Sequence, residues 1–124
     1  MMHDDKDQLK LVFKKRLYAF VLRLIRWIEH LPKDMVCQVL GKQLLRSSTS
    51  ILANYVEATA ASSRKEFINY FQYSLKSANE SKVWLELLRD IQKGNTKELE
   101  WFLGEVDAVA KILAKSIVTL KQKQ

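Results

Sequence analysis

Residues 46–67 read RSSTSILANYVEATAASSRKEF, and the meaning of their polar side chains decides the fold. The first part has no Gly or Pro and reads as helix. Yet Ser47, Ser48, Thr49, Ser50, Asn54 and Glu57 stand close to positions that a core-facing helix fills with apolar residues. Such groups form either a reaction or metal centre, or a structural network between packed helices. The rest of the chain decides between the two.

Upstream, Val36, Leu40, Leu44, Ile51, Tyr55 and Ala58 recur on one helical face, with Ser47 and Asn54 on the same side. Pro32 in LPKD ends the helix before it and suits the start of the next. Downstream, Ser63 and Glu66 have capping-box spacing, the hydroxyl serving a free amide while the carboxylate reaches back. A third segment follows with Phe67, Phe71, Ser74, Ala78, Ser81, Leu85 and Leu88 in steps of four and three. KGNTKE closes it: Gly94 is expected in the left-handed terminal conformation, and Asn95 with Glu98 forms a second capping pair. Leu99, Phe102, Val106, Val109, Leu113, Ile117 and Leu120 mark the fourth segment.

The first segment carries Leu9, Phe13, Leu17, Phe20, Leu24, Trp27 and Leu31 on one stripe. Leu11, Tyr18, Val21, Leu22, Ile25 and Ile28 make a second apolar stripe. A helix in a lone bundle needs one such face, so the second predicts a contact with another subunit, with Ile25 pointing outward. A membrane surface fits it less well, because the first stripe is already needed for the core. The spacing predicts helices over about 5–30, 34–60, 63–93 and 96–122, in one domain spanning 1–124. Short connections force neighbouring helices antiparallel, so the expected fold is all-α, an up-down-up-down four-helix bundle with helices about 40 Å long.

Composition agrees. The chain has 124 residues, 48% of them apolar, with only 3 Gly and 1 Pro. That is enough for one core and too little turn chemistry for a strand-rich fold. Cys37 is the lone cysteine, which suits a small buried apolar residue in a reduced, cytoplasmic setting. MMHDDKDQLK at the N-terminus does not have the basic-then-apolar order of a secretory signal. Lys or Arg interrupts the longest apolar stretches, so no segment is expected to span a membrane. Net charge is +7, from 21 Lys and Arg against 14 Asp and Glu, which favours a polyanionic partner.

A di-iron bundle needs Glu-x-x-His on two helices, and the two histidines, His3 and His30, do not stand three residues after a Glu. No metal and no cofactor is expected. A Ser or Cys nucleophile lacks a histidine base in the interior pattern, and no Gly-rich phosphate loop is present, so an enzyme is not expected. Ser47, Ser50, Asn54 and Ala58 are instead expected to face Ser74, Ser77, Ala78 and Ser81 on the returning third helix. Arg46, Ser50, Asn54, Glu57, Ser77 and Glu80 make the expected structural polar network, in which Arg46 and Asn54 would partner any buried carboxylate.

RSSTSILANYVEA is similar to the motif Arg-x-x-x-Ser-Ile-x-x-Asn-Ile-x-Glu-Gly/Ala, followed at the matching distance by SRKEFINYF and YSLKSANESKVWL. The chain thereby resembles the ribosomal-RNA intervening-sequence proteins, a four helix bundle family that includes the accessory variability protein of diversity-generating retroelements. The matches are Arg46, Ser50, Ile51, Asn54, Glu57, Lys65, Glu66, Phe67, Leu75, Ser77 and Glu80; Tyr55 replaces the usual Ile, and Ala58 the common Gly. The resemblance implies a cytoplasmic bundle assembled into a ring-shaped homopentamer with a basic surface. The retroelement member binds nucleic acid and its reverse transcriptase. Between Lys10 and Ile28 there is no acid, so Lys14, Lys15, Arg16, Arg23 and Arg26, with Lys121 and Lys123 on the tail, are the candidate phosphate contacts. Without a base-reading motif or aromatic platform, RNA or DNA would be bound with little sequence preference. The alternative is a protein-interaction scaffold, or an accessory subunit for an enzyme such as a reverse transcriptase.

Overall fold

The structure, a computed structural model, describes the backbone of residues 5–123 and the side chains of residues 8–123; His3 lies outside the described residues. Four helices account for it: α1 (Asp5–Glu29), α2 (Met35–Thr59), α3 (Arg64–Asp90) and α4 (Thr96–Gln122). Each packs on its neighbours in sequence and α4 closes back on α1, while across the diagonals no two Cα atoms of the described residues come within 8 Å. This is the antiparallel bundle that the short connections demand. The α2–α3 seam is the most intimate and the α1–α4 seam the most open.

Local chemistry sets the helix ends. Asp34 accepts the Cys37 amide at 2.9 Å and begins α2, while Lys93 Nζ reaches its other oxygen at 3.2 Å. Ser63 accepts the Glu66 amide at 3.1 Å, and the Glu66 carboxylate accepts the amide of Ser62, not of Ser63, at 3.3 Å. Asn95 caps α4 through the Glu98 amide at 3.0 Å, but the Glu98 carboxylate turns away to Arg23.

Helix α3 stops at Asp90, short of the expected 93, because Gln92 takes the left-handed conformation at φ 60°. Its amide bonds Arg89 O at 3.0 Å and the Lys93 amide bonds Leu88 O at 2.9 Å, the paired bonds of a Schellman terminus. Gly94 adds a second positive φ of 82°, and a Cβ there would lie 2.5 Å from Trp27 Cζ2. Its lack of a side chain lets the α3–α4 turn close over the α1 indole.

The core follows the expected stripes except at the first member of two of them, where Leu9 and Val36 are exposed at 67% and 49%. Leu17, Phe20, Leu24 and Trp27 of α1 meet Leu44 and Ile51 of α2, Ala78, Leu85 and Leu88 of α3, and Phe102, Val106, Val109 and Leu113 of α4. The second stripe of α1 is only partly surplus. Val21 is buried and Ile25 and Ile28 pack against the core, so Ile25 is not an outward residue. The reason is geometric: α1 touches both α2 and α4, and so needs a wider apolar arc than one seam requires. Leu11, Tyr18 and Leu22 remain exposed at 48%, 60% and 38%.

Candidate functional site

The polar cluster lies along the α2–α3 seam and closes on itself. Ser47, Ser48, Ser74 and Ser81 are fully buried. Ser81 Oγ donates to Ser47 Oγ at 2.8 Å and also lies 2.9 Å from Ser77 O, while Ser47 donates to Leu44 O at 3.3 Å. Ser77 donates to Ser50 Oγ at 3.0 Å, and Asn54 Nδ2 lies 2.9 Å from both Ser50 Oγ and Ser50 O. Ser74 crosses to Ile51 O at 2.8 Å. Small side chains let the two backbones approach, and each hydroxyl finds a partner where water is excluded.

Arg46 donates to Glu80 and to Gln43 Oε1, and the Trp84 indole N–H reaches Glu80 at 3.3 Å. Five of the six expected network residues are therefore joined to a partner on this seam. Glu57 is the exception: it is exposed and makes no ion pair among the described residues. Asn54 accordingly serves Ser50, not a carboxylate. No serine here is bonded to an imidazole or a carboxylate, so nothing withdraws a hydroxyl proton.

His30 sits exposed at the end of α1, its Nδ1 2.8 Å from Arg26 O. Burial pushes the Cys37 thiol up, which disfavours the nucleophilic thiolate. Among the described residues no three His, Cys, Asp or Glu side chains gather as metal ligands would. Tyr55 is pushed up to about 12 by burial, and its neutral hydroxyl donates to Lys10 O at 3.1 Å. It fastens α2 to α1.

The seven candidate basic residues divide. Arg16 grips Glu105 side-on, Nε and Nη2 donating to its two carboxylate oxygens at 2.8 and 2.9 Å, which raises its pKa. Arg23 holds Glu98 at 3.2 and 3.1 Å while its guanidinium lies 3.9 Å from the Trp101 ring centroid. Both arginines thus tie α1 to α4 across the open seam. Lys14, Lys15, Arg26, Lys121 and Lys123 are exposed and make no ion pair among the described residues.

Lys121 belongs to a face that sequence reasoning did not assemble. It lines a shallow cleft of about 300 Å³ with Lys65, Ile68, Asn69 and Gln72 of α3. Lys76 and Lys115 are exposed on the same two helices. Residues 67–79 and 108–124 carry no acid, a signal present in the sequence but meaningful only once α3 and α4 lie side by side. A second depression of about 350 Å³ at the α3–α4 turn is lined by Arg89, Lys93 and Thr96 among others. Its cations are already taken, Arg89 by Asp90 and Lys93 by Asp34.

Comparison with known proteins supplies the remaining context. The model of the family described as 23S rRNA-intervening sequence protein matches residues 9–115. The crystal structure of a protein of unknown function from the S23 ribosomal protein family of Bacteroides thetaiotaomicron is similar to this one. Its TM-score is 0.80 at 35% identity, over 87% of this chain and 96% of that one. No curated protein matches the chain.

Proposed function

Because the chain belongs to the 23S rRNA-intervening sequence protein family, we propose that it is a non-enzymatic, cytoplasmic homo-oligomer that binds RNA and DNA through their phosphates. The observation that carries this reading is the set of exposed lysines free of ion pairs among the described residues, notably Lys76, Lys115, Lys121 and Lys123 along the two acid-free segments and Lys65 just before the first. Lys14, Lys15 and Arg26 add to it from α1. Arg16 and Arg23 do not, since phosphate would have to displace a carboxylate from each.

Self-association is supported by Leu11, Tyr18 and Leu22, exposed along one strip of α1. A ring, with five subunits by family resemblance, would multiply the +7 charge of each chain and so the field that attracts phosphate. The same strip supports the second reading, a scaffold for a partner such as a reverse transcriptase. No helix among the described residues is long and apolar enough to cross a membrane.

Light scattering at micromolar concentration should give a multiple of the 14.5 kDa chain. Fluorescence anisotropy in low salt should show binding to unrelated RNA and DNA sequences. A monomer mass overturns the oligomer, and absent binding leaves the scaffold reading ahead.

A further inference from the structure

The exposed side of α3 next to the Lys121 cleft carries more than charge. Tyr73 is 52% exposed on α3, its ring braced edge-on against Tyr70 at 5.9 Å and 85°. Lys65, Asn69 and Tyr73 follow one another at helical steps of four, with Gln72 and Lys76 one step apart beside them. Such spacing sets them along one outward strip, about 12 Å from Lys65 to Tyr73. Lys65, Asn69 and Gln72 also wall the cleft completed by Lys121. The nearest acid in sequence, Glu66, directs its carboxylate to the Ser62 amide at 3.3 Å. A scattered surface tyrosine needs no explanation. A braced one among cations and amides matches what an unpaired base requires.

We propose that this face is a track for single-stranded nucleic acid. Lys65 and Lys121 take backbone phosphate in the cleft, the amides of Asn69 and Gln72 donate to phosphate or sugar oxygens, and Tyr73 stacks against a base. The inference rests on the phosphate-binding reading above and adds a choice of strand state. A duplex keeps its bases stacked inside and offers Tyr73 nothing, whereas every unpaired base has a face to stack.

The test uses the full chain and anisotropy with an unstructured RNA strand, the matching DNA strand, and an RNA duplex of equal length. Tyr73→Ala should weaken binding to both single strands about tenfold and leave the duplex unchanged, while Tyr73→Phe retains wild-type affinity. Lys65→Gln with Lys121→Gln should lower the single-strand salt slope by about 1.4, at about 0.7 per phosphate contact. All these side chains reach the surface, and circular dichroism matching wild type confirms that each variant is folded. The proposal is overturned if Tyr73→Ala loses nothing, or loses equally on strand and duplex. It also falls if only Lys14→Gln with Lys15→Gln lowers the slope; the broader reading then survives on α1. Failure of the wild type to bind any of the three sinks both.

Discussion

If the buried serines of α2 and α3 are a packing device, their energetics should show it in a double-mutant cycle on Ser47 and Ser81. The two hydroxyls are 2.8 Å apart and fully buried. Ser81→Ala removes the donor but leaves Ser47 bonded to Leu44 O, so one acceptor site is stranded. Ser47→Ala leaves the Ser81 hydroxyl its contact with Ser77 O. Each single change should cost about 0.5–1 kcal/mol, a lost hydrogen bond of about 1 kcal/mol less the better helix propensity of Ala. The double change removes both polar groups and replaces them with two methyls of similar shape, so it should cost no more than either alone. The propensity gains cancel in the cycle, leaving a coupling of about 1 kcal/mol. Urea unfolding at fixed protein concentration reads all four corners, with unchanged m-values required for a two-state comparison. Ser81→Leu sets the opposite limit, since it forces bulk between two close backbones and should cost more than about 2 kcal/mol. Additive single costs, or a Ser81→Leu variant as stable as wild type, would refute the close-packed seam.

The α3 terminus gives a second expectation: Gln92→Gly should stabilise by about 0.5–1 kcal/mol, because the left-handed φ of 60° strains any residue with a Cβ. Gly94→Ala should lose at least about 2 kcal/mol, since its Cβ meets the Trp27 ring at 2.5 Å, and thermal melts of both variants check the pair. Acid should weaken the fold partly through Asp34, whose carboxyl is held below its ordinary 3.8 mainly by the Cys37 amide. A depressed folded pKa stabilises above the unfolded value and is lost as pH falls from about 4 toward the folded value. Asp34→Asn keeps a capping oxygen but does not titrate, so its decline in melting temperature below about pH 4 should be shallower than that of wild type.

The sequence exposed the bundle because each helix repeats its apolar residues at the period of its own geometry. For α4 the buried set runs Leu99, Phe102, Val106, Val109, Leu113 and Ile117, as periodicity alone requires. The seam was legible for the same reason, since Ser47 and Ser50 sit at core-facing steps opposite Ser81 and Ser77 once the helices run antiparallel. Periodicity does not say how wide an arc each helix buries. Val21 and Ile25 therefore read as surplus until α1 is seen against two neighbours. Nor does it reveal ion pairs between residues distant in the chain, which take Arg16 and Arg23 out of the free basic surface. Glu57 shares the motif and the stripe of Ser50, yet it stands exposed in the last turn of α2, where it joins none of the seam's hydrogen bonds among the described residues.

Phosphate binding without base reading is tested most directly by the salt dependence of affinity for two unrelated single strands. Lysine–phosphate contacts release counterions, so log K should fall linearly with log salt at about 0.7 per contact, with equal slopes for both sequences. Several contacts among Lys14, Lys15, Arg26, Lys65, Lys76, Lys115, Lys121 and Lys123 would give a slope steeper than about −2, and removing Lys65 and Lys121 should flatten it. Affinity that holds as salt rises, or that differs by orders of magnitude between the two sequences, would contradict a phosphate-binding surface of this kind.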